Sequence, residues 1–363
     1  MDKKFVMGIA AMAALTLVSC SSDDLDSFSD NSSKNEAISF DGYLGRSAVA
    51  VNGSRGSVLD KDALQKLPET AGAFGVFGNY SKDATTAYGE NLFKNQKVFY
   101  SNSEWTYTPY KYWLPEGHID FLAYAPYDSK YDGNTALTGS KISFAVDKDI
   151  AKQKDLLWAN AAGQTLDKIS STGNKVKFTF NHALSRLGYT VKLKKDCSND
   201  VTITLKSITL AGSDDKTKGA FYEQGIINLA MANKEANLWS DKTGQQKFDW
   251  FSNKEYKVTS STASHPTDPD PKTDYLFVIP QDFSATGTDK LYVIVEYSIQ
   301  YNNISEVFTN KVSKQILQKF EQGKAYTINL TIGRPIDFDV EVVTDWTNTT
   351  DNKNTDIDID SWE

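Results

Sequence analysis

Apolar and polar positions alternate with a period of two in short runs along this chain. The clearest are Lys175 to Phe180, Tyr189 to Leu193, Val201 to Leu205, Leu291 to Tyr297 and Tyr326 to Ile332. Such alternation sets one face of a strand on a core and the other in water. Turn-forming residues separate the runs, which is the pattern of packed β-sheets rather than of an α/β fold. Helical spacing is rare. It predicts one short helix over Asp60 to Leu67, stopped by Pro68, and another over Lys311 to Phe320, before Gly323. The stretch Ser260 to Lys272, with Pro266, Pro269 and Pro271, reads as an exposed loop. No repeat of solenoid length is present. The alternation breaks at Asn181 to Gly188, after the strand ending at Phe180. A boundary there gives two β-sandwich domains, residues 37–181 and residues 182–363, the second carrying a C-terminal strand and tail.

The first residues follow a different pattern. Lys3 and Lys4 precede an apolar run from Phe5 to Leu15, and Leu17-Val18-Ser19-Cys20 follows. This is a lipobox: residues 1–19 are expected to be removed as a signal peptide, and Cys20 to become an acylated N-terminus carrying palmitate-type chains. The apolar run is too short to span a bilayer, which takes about 20 apolar residues. Residues 20–36 are rich in Ser, Asp and Asn and nearly free of core residues, so they are expected to form a flexible tether. The expected location is the outer membrane at the cell surface, held there through the N-terminal lipid alone.

Charge and chemistry narrow the functions. The formal net charge is −8, and loss of Lys3, Lys4 and Asp2 with the signal peptide makes the body one unit more acidic. Nucleic acid is therefore an unfavourable partner. With Cys20 acylated, Cys197 is the other cysteine of the chain, so a disulfide framework and a cysteine-based zinc site are both excluded. His118, His182 and His265 lack metal-ligand spacing, and His182 is expected to be structural. Asp356-Ile357-Asp358-Ile359-Asp360 lacks the glycine and terminal glutamate of a calcium loop and reads as an acidic tail. There is no phosphate-binding glycine loop and no Gly-x-Ser-x-Gly elbow. No cofactor and no enzymatic activity are expected. The aromatics from Trp105 to Trp113 suit either sugar stacking or a core strand, and the core reading is favoured because large rings mostly bury their area.

An ordered series of segments resembles the fimbrillin family, the lipoprotein subunits of Bacteroides-type type V pili. It comprises the lipobox, Ile38-Ser39-Phe40, Gly72 to Phe77, Trp105 to Trp113, Ile119 to Pro126, Lys154 to Ala159, Phe180 to Arg186, Leu276 to Gln281 and Gly323 to Leu330. The resemblance implies two tandem transthyretin-like β-sandwiches. It also implies assembly with other fimbrial subunits by strand exchange, after an Arg-specific protease removes the N-terminal segment.

The residues can be read against that mechanism. A displaceable strand is available at Ala37 to Leu44, where Ile38, Phe40 and Leu44 share a face with Gly42 between them. Arg46 and Arg55 follow among small residues that a protease can reach. A candidate donor strand, Ile336, Phe338, Val340 and Val342, alternates cleanly, but it suits an edge strand of its own domain better. The tail beyond it offers little to bury, which points to a tip or minor subunit rather than a stalk subunit, with an adhesive role toward a host or bacterial surface ligand. A surface glycan-binding lipoprotein that never polymerises is the alternative.

Overall fold

The computed structural model describes residues 36–44, 64–65, 73–132, 140–171, 173–194, 201–231, 237–264 and 275–333, and the backbone of 337–343. Residues 1–19, Cys20, Arg46, Arg55, Cys197, His265, Ile336 and the tail 351–363 lie outside this set, as do the side chains of Leu44, Phe338, Val340 and Val342.

In chain order the strands are β1 (Phe40–Leu44), β2 (Ala73–Ser81), β3 (Glu90–Ser101), β4 (Glu104–Thr106), β5 (His118–Ala125), β6 (Lys141–Ala145) and β7 (Leu157–Gln164). A short helix, α1 (Leu166–Ser170), precedes β8 (Val176–His182), β9 (Ser185–Leu193), β10 (Val201–Ala211), β11 (Gln224–Asn228), β12 (Trp239–Thr243), β13 (Phe248–Phe251) and β14 (Tyr256–Val258). The remainder are β15 (Leu276–Val278), β16 (Gln281–Asp282), β17 (Tyr292–Tyr301), β18 (Val307–Gln315), β19 (Lys319–Phe320), β20 (Ala325–Ile332) and β21 (Asp337–Val343). The protein is all-β, and each period-2 run lies in a strand.

One expected helix is a strand. Val312, Ile316 and Phe320 have helical spacing, but β18 pairs along its length with β17, from Tyr292 opposite Gln315 to Gln300 opposite Val307. A complete ladder with a long neighbour outweighs a weak local preference. Of the other expected helix, Leu64 and Gln65 are helical, with Leu64 buried, and the rest lies outside the described residues.

β1 to β5, β7 and β8 form a sheet in the order β1-β8-β7-β5-β2-β3-β4. The sheet curls so that β1, at one end, also lies beside β4 at the other. One core fills the curl, built from Phe40, Phe74, Phe93, Phe121, Phe178 and their neighbours. The opposite faces of β2, β5 and β7 supply Phe77, Leu122, Tyr124 and Trp158 to a second core. These strands are therefore covered on both sides, which explains their near-continuous apolar runs. The second core is completed by β10 with β17, and by β9 with β20, from the later part of the chain. β6 precedes residue 181 but joins β11 and β12 in a three-stranded sheet.

Tight strand contact fixes some small residues. A Cβ on Gly75 would lie 2.4 Å from a Tyr124 ring atom and 2.5 Å from Asn95 Oδ1. Tyr124 is held there by donating its hydroxyl to Asn95 Oδ1 at 2.7 Å. Gly75→Ala is expected to destabilise the protein by about 1–3 kcal/mol through overpacking, measured by denaturant unfolding.

Candidate functional site

The site with the clearest design is the groove that holds β1. Its alternation points Ile38 and Phe40 inward, and both are fully buried. Phe40 sits among four rings: Phe93 at 5.6 Å, Tyr107 at 5.5 Å, Phe121 at 5.4 Å and Phe178 at 5.7 Å between centroids. Two of these contacts, with Phe93 and Phe121, are edge-on, the favoured geometry for aromatic pairs. Gly42 follows on the same face. A Cβ there would meet Phe180, Phe74 and Trp105 atoms, each at 3.5 Å. There is room for a methyl group and little more.

The backbone of this segment is held on both sides. β1 runs parallel to β8, with Phe40 opposite Val176 and Leu44 opposite Phe180. Val176 N–H donates to the Ser39 carbonyl at 2.9 Å, and Ser39 Oγ donates to the Asn174 carbonyl at 2.9 Å. On the other side, Ile38 N–H donates to the Lys111 carbonyl at 2.8 Å, and Ala37 bridges to Tyr112. Tyr107 Oη donates to the Ile38 carbonyl at 2.8 Å. Burial pushes the Tyr107 hydroxyl up to about 12, so it remains a donor through the neutral range. Tyr107→Phe keeps the ring and loses that bond. It is expected to cost about 0.5–1.5 kcal/mol and to speed amide exchange in β1, read by hydrogen-exchange mass spectrometry.

The predicted site residues separate as follows. Ile38 and Phe40 come together in the groove, and Leu44 takes its place in β1 by backbone register. Phe338, Val340 and Val342 lie in β21, which pairs antiparallel with β20, from Thr331 opposite Asp337 to Ala325 opposite Val343. β21 is the edge of the sheet β15-β9-β20-β21. Cys20, Arg46, Arg55 and Ile336 are outside the described residues. Sequence reading missed Tyr107 as the residue that grips β1; its core-facing parity with Trp105 was visible, its hydroxyl's partner was not. Trp105, Tyr107 and Trp113 are buried, whereas Tyr110 and Tyr112 are 57% and 48% exposed. His182 is a core residue, with Nδ1 2.9 Å from buried Asp155 Oδ2. Among the described residues no cluster of three His, Cys, Asp or Glu could hold a metal ion.

Fold and groove together define an all-β protein that closes one core with a strand from its N-terminal end. The chain belongs to the fimbrillin-like family, whose profile matches residues 68–352. Membership makes a fimbrial, structural role the one its fold serves. Among solved structures, the chain is similar to a fimbrial protein from Bacteroides vulgatus, at 19% identity, with 86% of this chain and 99% of that one covered and a TM-score of 0.62. A candidate cell adhesion protein from Bacteroides ovatus matches at 18% identity, covering 87% and 99%, with a TM-score of 0.47. The tip fimbrial protein Mfa3 from Porphyromonas gingivalis, truncated at its C-terminus, matches at 10% identity, covering 81% and 97%, with a TM-score of 0.37. The likeness to the first is one of fold. A comparison with curated proteins finds no match.

Proposed function

We propose that this chain is a tip or minor fimbrial subunit, exported as an outer-membrane lipoprotein through Cys20 and assembled by strand exchange. Cleavage after Arg46 or Arg55 by an Arg-specific protease frees β1, and a strand from another subunit takes its place. The observation that carries this reading is the setting of Phe40: a ring from a terminal segment, fully buried among four others, on a strand that pairs with β8 and is preceded by Ile38, whose N–H bonds to the Lys111 carbonyl on the other side. Its removal would leave an apolar trench flanked by unpaired backbone, which an incoming strand can fill.

A comparison of the two ends of the chain favours the tip or minor role. Ile38-Ser39-Phe40-Asp41-Gly42 is echoed by Ile336-Asp337-Phe338-Asp339-Val340. The echo fails at the third inward position, where Val340 would stand in place of Gly42. That position has space for one methyl among three aromatic side chains, so the chain's own β21 segment is a poor filler for its own groove. β21 is also already paired with β20. The groove thus suits a donor of the form large-x-aromatic-x-small from a different subunit, and this chain does not form a homopolymer.

The test is to treat the purified protein with an Arg-specific protease and follow its mass in solution. A clean cut after Arg46 or Arg55, a body that remains a single unit, and a stable complex once a subunit with a large-x-aromatic-x-small strand is added are expected. A chain that resists cutting, or a cut body that assembles with itself as readily as with that subunit, contradicts the reading.

A further inference from the structure

β18 is the outer strand of the sheet β13-β10-β17-β18, and among the described residues no strand pairs with its other side. It pairs with β17 from Val307 to Gln315 without a register shift, so every second residue turns its N–H and C=O outward. Such an edge is a template for another strand, which natural proteins prevent by shortening, bulging, charging or covering it. This edge is 9 residues long and contains no proline.

Its two faces differ. Phe308, Asn310, Val312 and Lys314 stand opposite Ile299, Tyr297, Val295 and Val293, and so share the face turned to the second core. Coverage there is incomplete. Val312 is half-buried against that core, and Phe308 is 43% exposed, with the Tyr301 ring 6.2 Å away. Val307, Thr309, Lys311 and Ser313 share the opposite face, where Val307 is 52% exposed. Lys311 stands across from Glu296. Glu296 already accepts from Lys216 Nζ at 2.8 Å, and Lys311 is exposed.

An occupant of this edge has to alternate, with apolar residues toward Phe308 and Val312 and acidic residues toward Lys311. A second copy offering its own β18 is unsuited, because it adds further lysines to the same ribbon, and like charges on paired strands repel. The acidic run in β21 is already paired with β20. The segment from Thr355 to Trp362, outside the described residues, reads Thr-Asp-Ile-Asp-Ile-Asp-Ser-Trp. Laid antiparallel with Asp358 opposite Lys311, it sets Ile357 opposite Val312, Ile359 diagonal to both Val312 and Phe308, and Trp362 opposite Val307. A slip of one residue would turn its aspartates toward the core. The segment is also within reach. Val343, the end of β21, lies opposite Ala325 at the start of β20, and Ala325 follows the Gln315 end of β18 through β19. Residues 344–354, extended, span up to about 36–40 Å. A chain arriving from the Gln315 end runs antiparallel to β18.

We propose that residues 355–362 dock on the free edge of β18 in the same molecule, as an added antiparallel strand. Ile357 and Ile359 complete the cover of Val312 and Phe308, and the aspartates face Lys311. The acidic tail is then an edge guard that keeps copies of the subunit from pairing through β18, a role separate from that of the β1 groove.

The test is amide exchange in the whole mature protein, read by mass spectrometry. Deleting residues 355–363 should speed exchange over Val307–Gln315 by about tenfold and leave β20, paired on both sides, unchanged. A synthetic peptide of residues 355–363, added to the deleted protein, should restore the protection. Lys311→Glu, at an exposed position that leaves the fold intact, should speed the same amides by about two- to fivefold. Lys311→Glu combined with Asp358→Lys should recover the protection. The proposal is overturned if the deletion leaves β18 exchange unchanged, or if the charge-reversed pair exchanges as fast as Lys311→Glu alone. It is also overturned if protection falls on dilution as a dimer dissociates, which would seat the segment on a second copy. Strand exchange at β1 is read by loss of the cut fragment, so the two readings fail independently.

Discussion

Phe40→Ala is expected to destabilise the protein by about 3–5 kcal/mol, the usual cost of deleting a buried phenylalanine. For a body of this size that is a fall in the melting temperature of roughly 10 °C. The ring is buried among four aromatic neighbours in the curled sheet. The residues that lose contact are Phe93, Tyr107, Phe121 and Phe178, so the effect should spread through the first core. Hydrogen exchange should accelerate in β1 and in its paired neighbour β8, while β20, in the second core, should be little affected. Ser39→Ala on the same segment removes one exposed hydrogen bond to the Asn174 carbonyl. It should cost less than about 1 kcal/mol, which separates loss of the buried ring from general disturbance of the strand. Calorimetry of the two variants beside the parent protein checks both numbers.

The second large effect concerns connection rather than composition. While the chain is intact, β1 is confined near its groove at an effective concentration on the order of millimolar. Cutting after Arg46 or Arg55 turns its retention into an ordinary association between two molecules. At micromolar protein this is a loss of about three orders of magnitude in occupancy, or roughly 4 kcal/mol. That is comparable with the gross gain from burying Ile38 and Phe40, at about 1.5–3 kcal/mol each. One cut is therefore enough to make a firmly seated strand replaceable. Cut protein, diluted and purified, should lose the fragment containing residues 37–44 and expose apolar surface to a hydrophobic dye. Arg46→Lys with Arg55→Lys, treated with an Arg-specific protease, should keep the strand and stay dark. Release of the strand from the doubly substituted protein would place the cut elsewhere.

Much of the fold is legible in the sequence because the governing signal is local. Lys175 to Phe180 and Tyr326 to Ile332 alternate strictly, and they form β8 and β20. Continuous apolar runs such as Phe121 to Ala125 carry a second message, that both faces are covered, and the two cores share that sheet. Lys311 to Phe320 reads wrongly because a helical spacing of apolar residues competes with pairing to β17, and the long ladder prevails. The groove is only half legible. Inward positions Ile38 and Phe40 follow from alternation, whereas the parallel pairing of Phe40 with Val176 joins residues far apart in the chain and leaves no local mark.

The central claim is that β1 is a separable part whose groove recognises a strand pattern. Its most direct test is to titrate cut, strand-depleted protein with synthetic peptides in trans and read stoichiometry by native mass spectrometry. A peptide of residues 37–44 should bind one to one and restore the melting temperature. The same peptide with Gly42→Val, and a peptide of residues 335–342, should bind about tenfold or more weakly, because the third inward position has no space for the added methyl groups. Depleted protein that neither binds the parent peptide nor has lost stability would contradict the account.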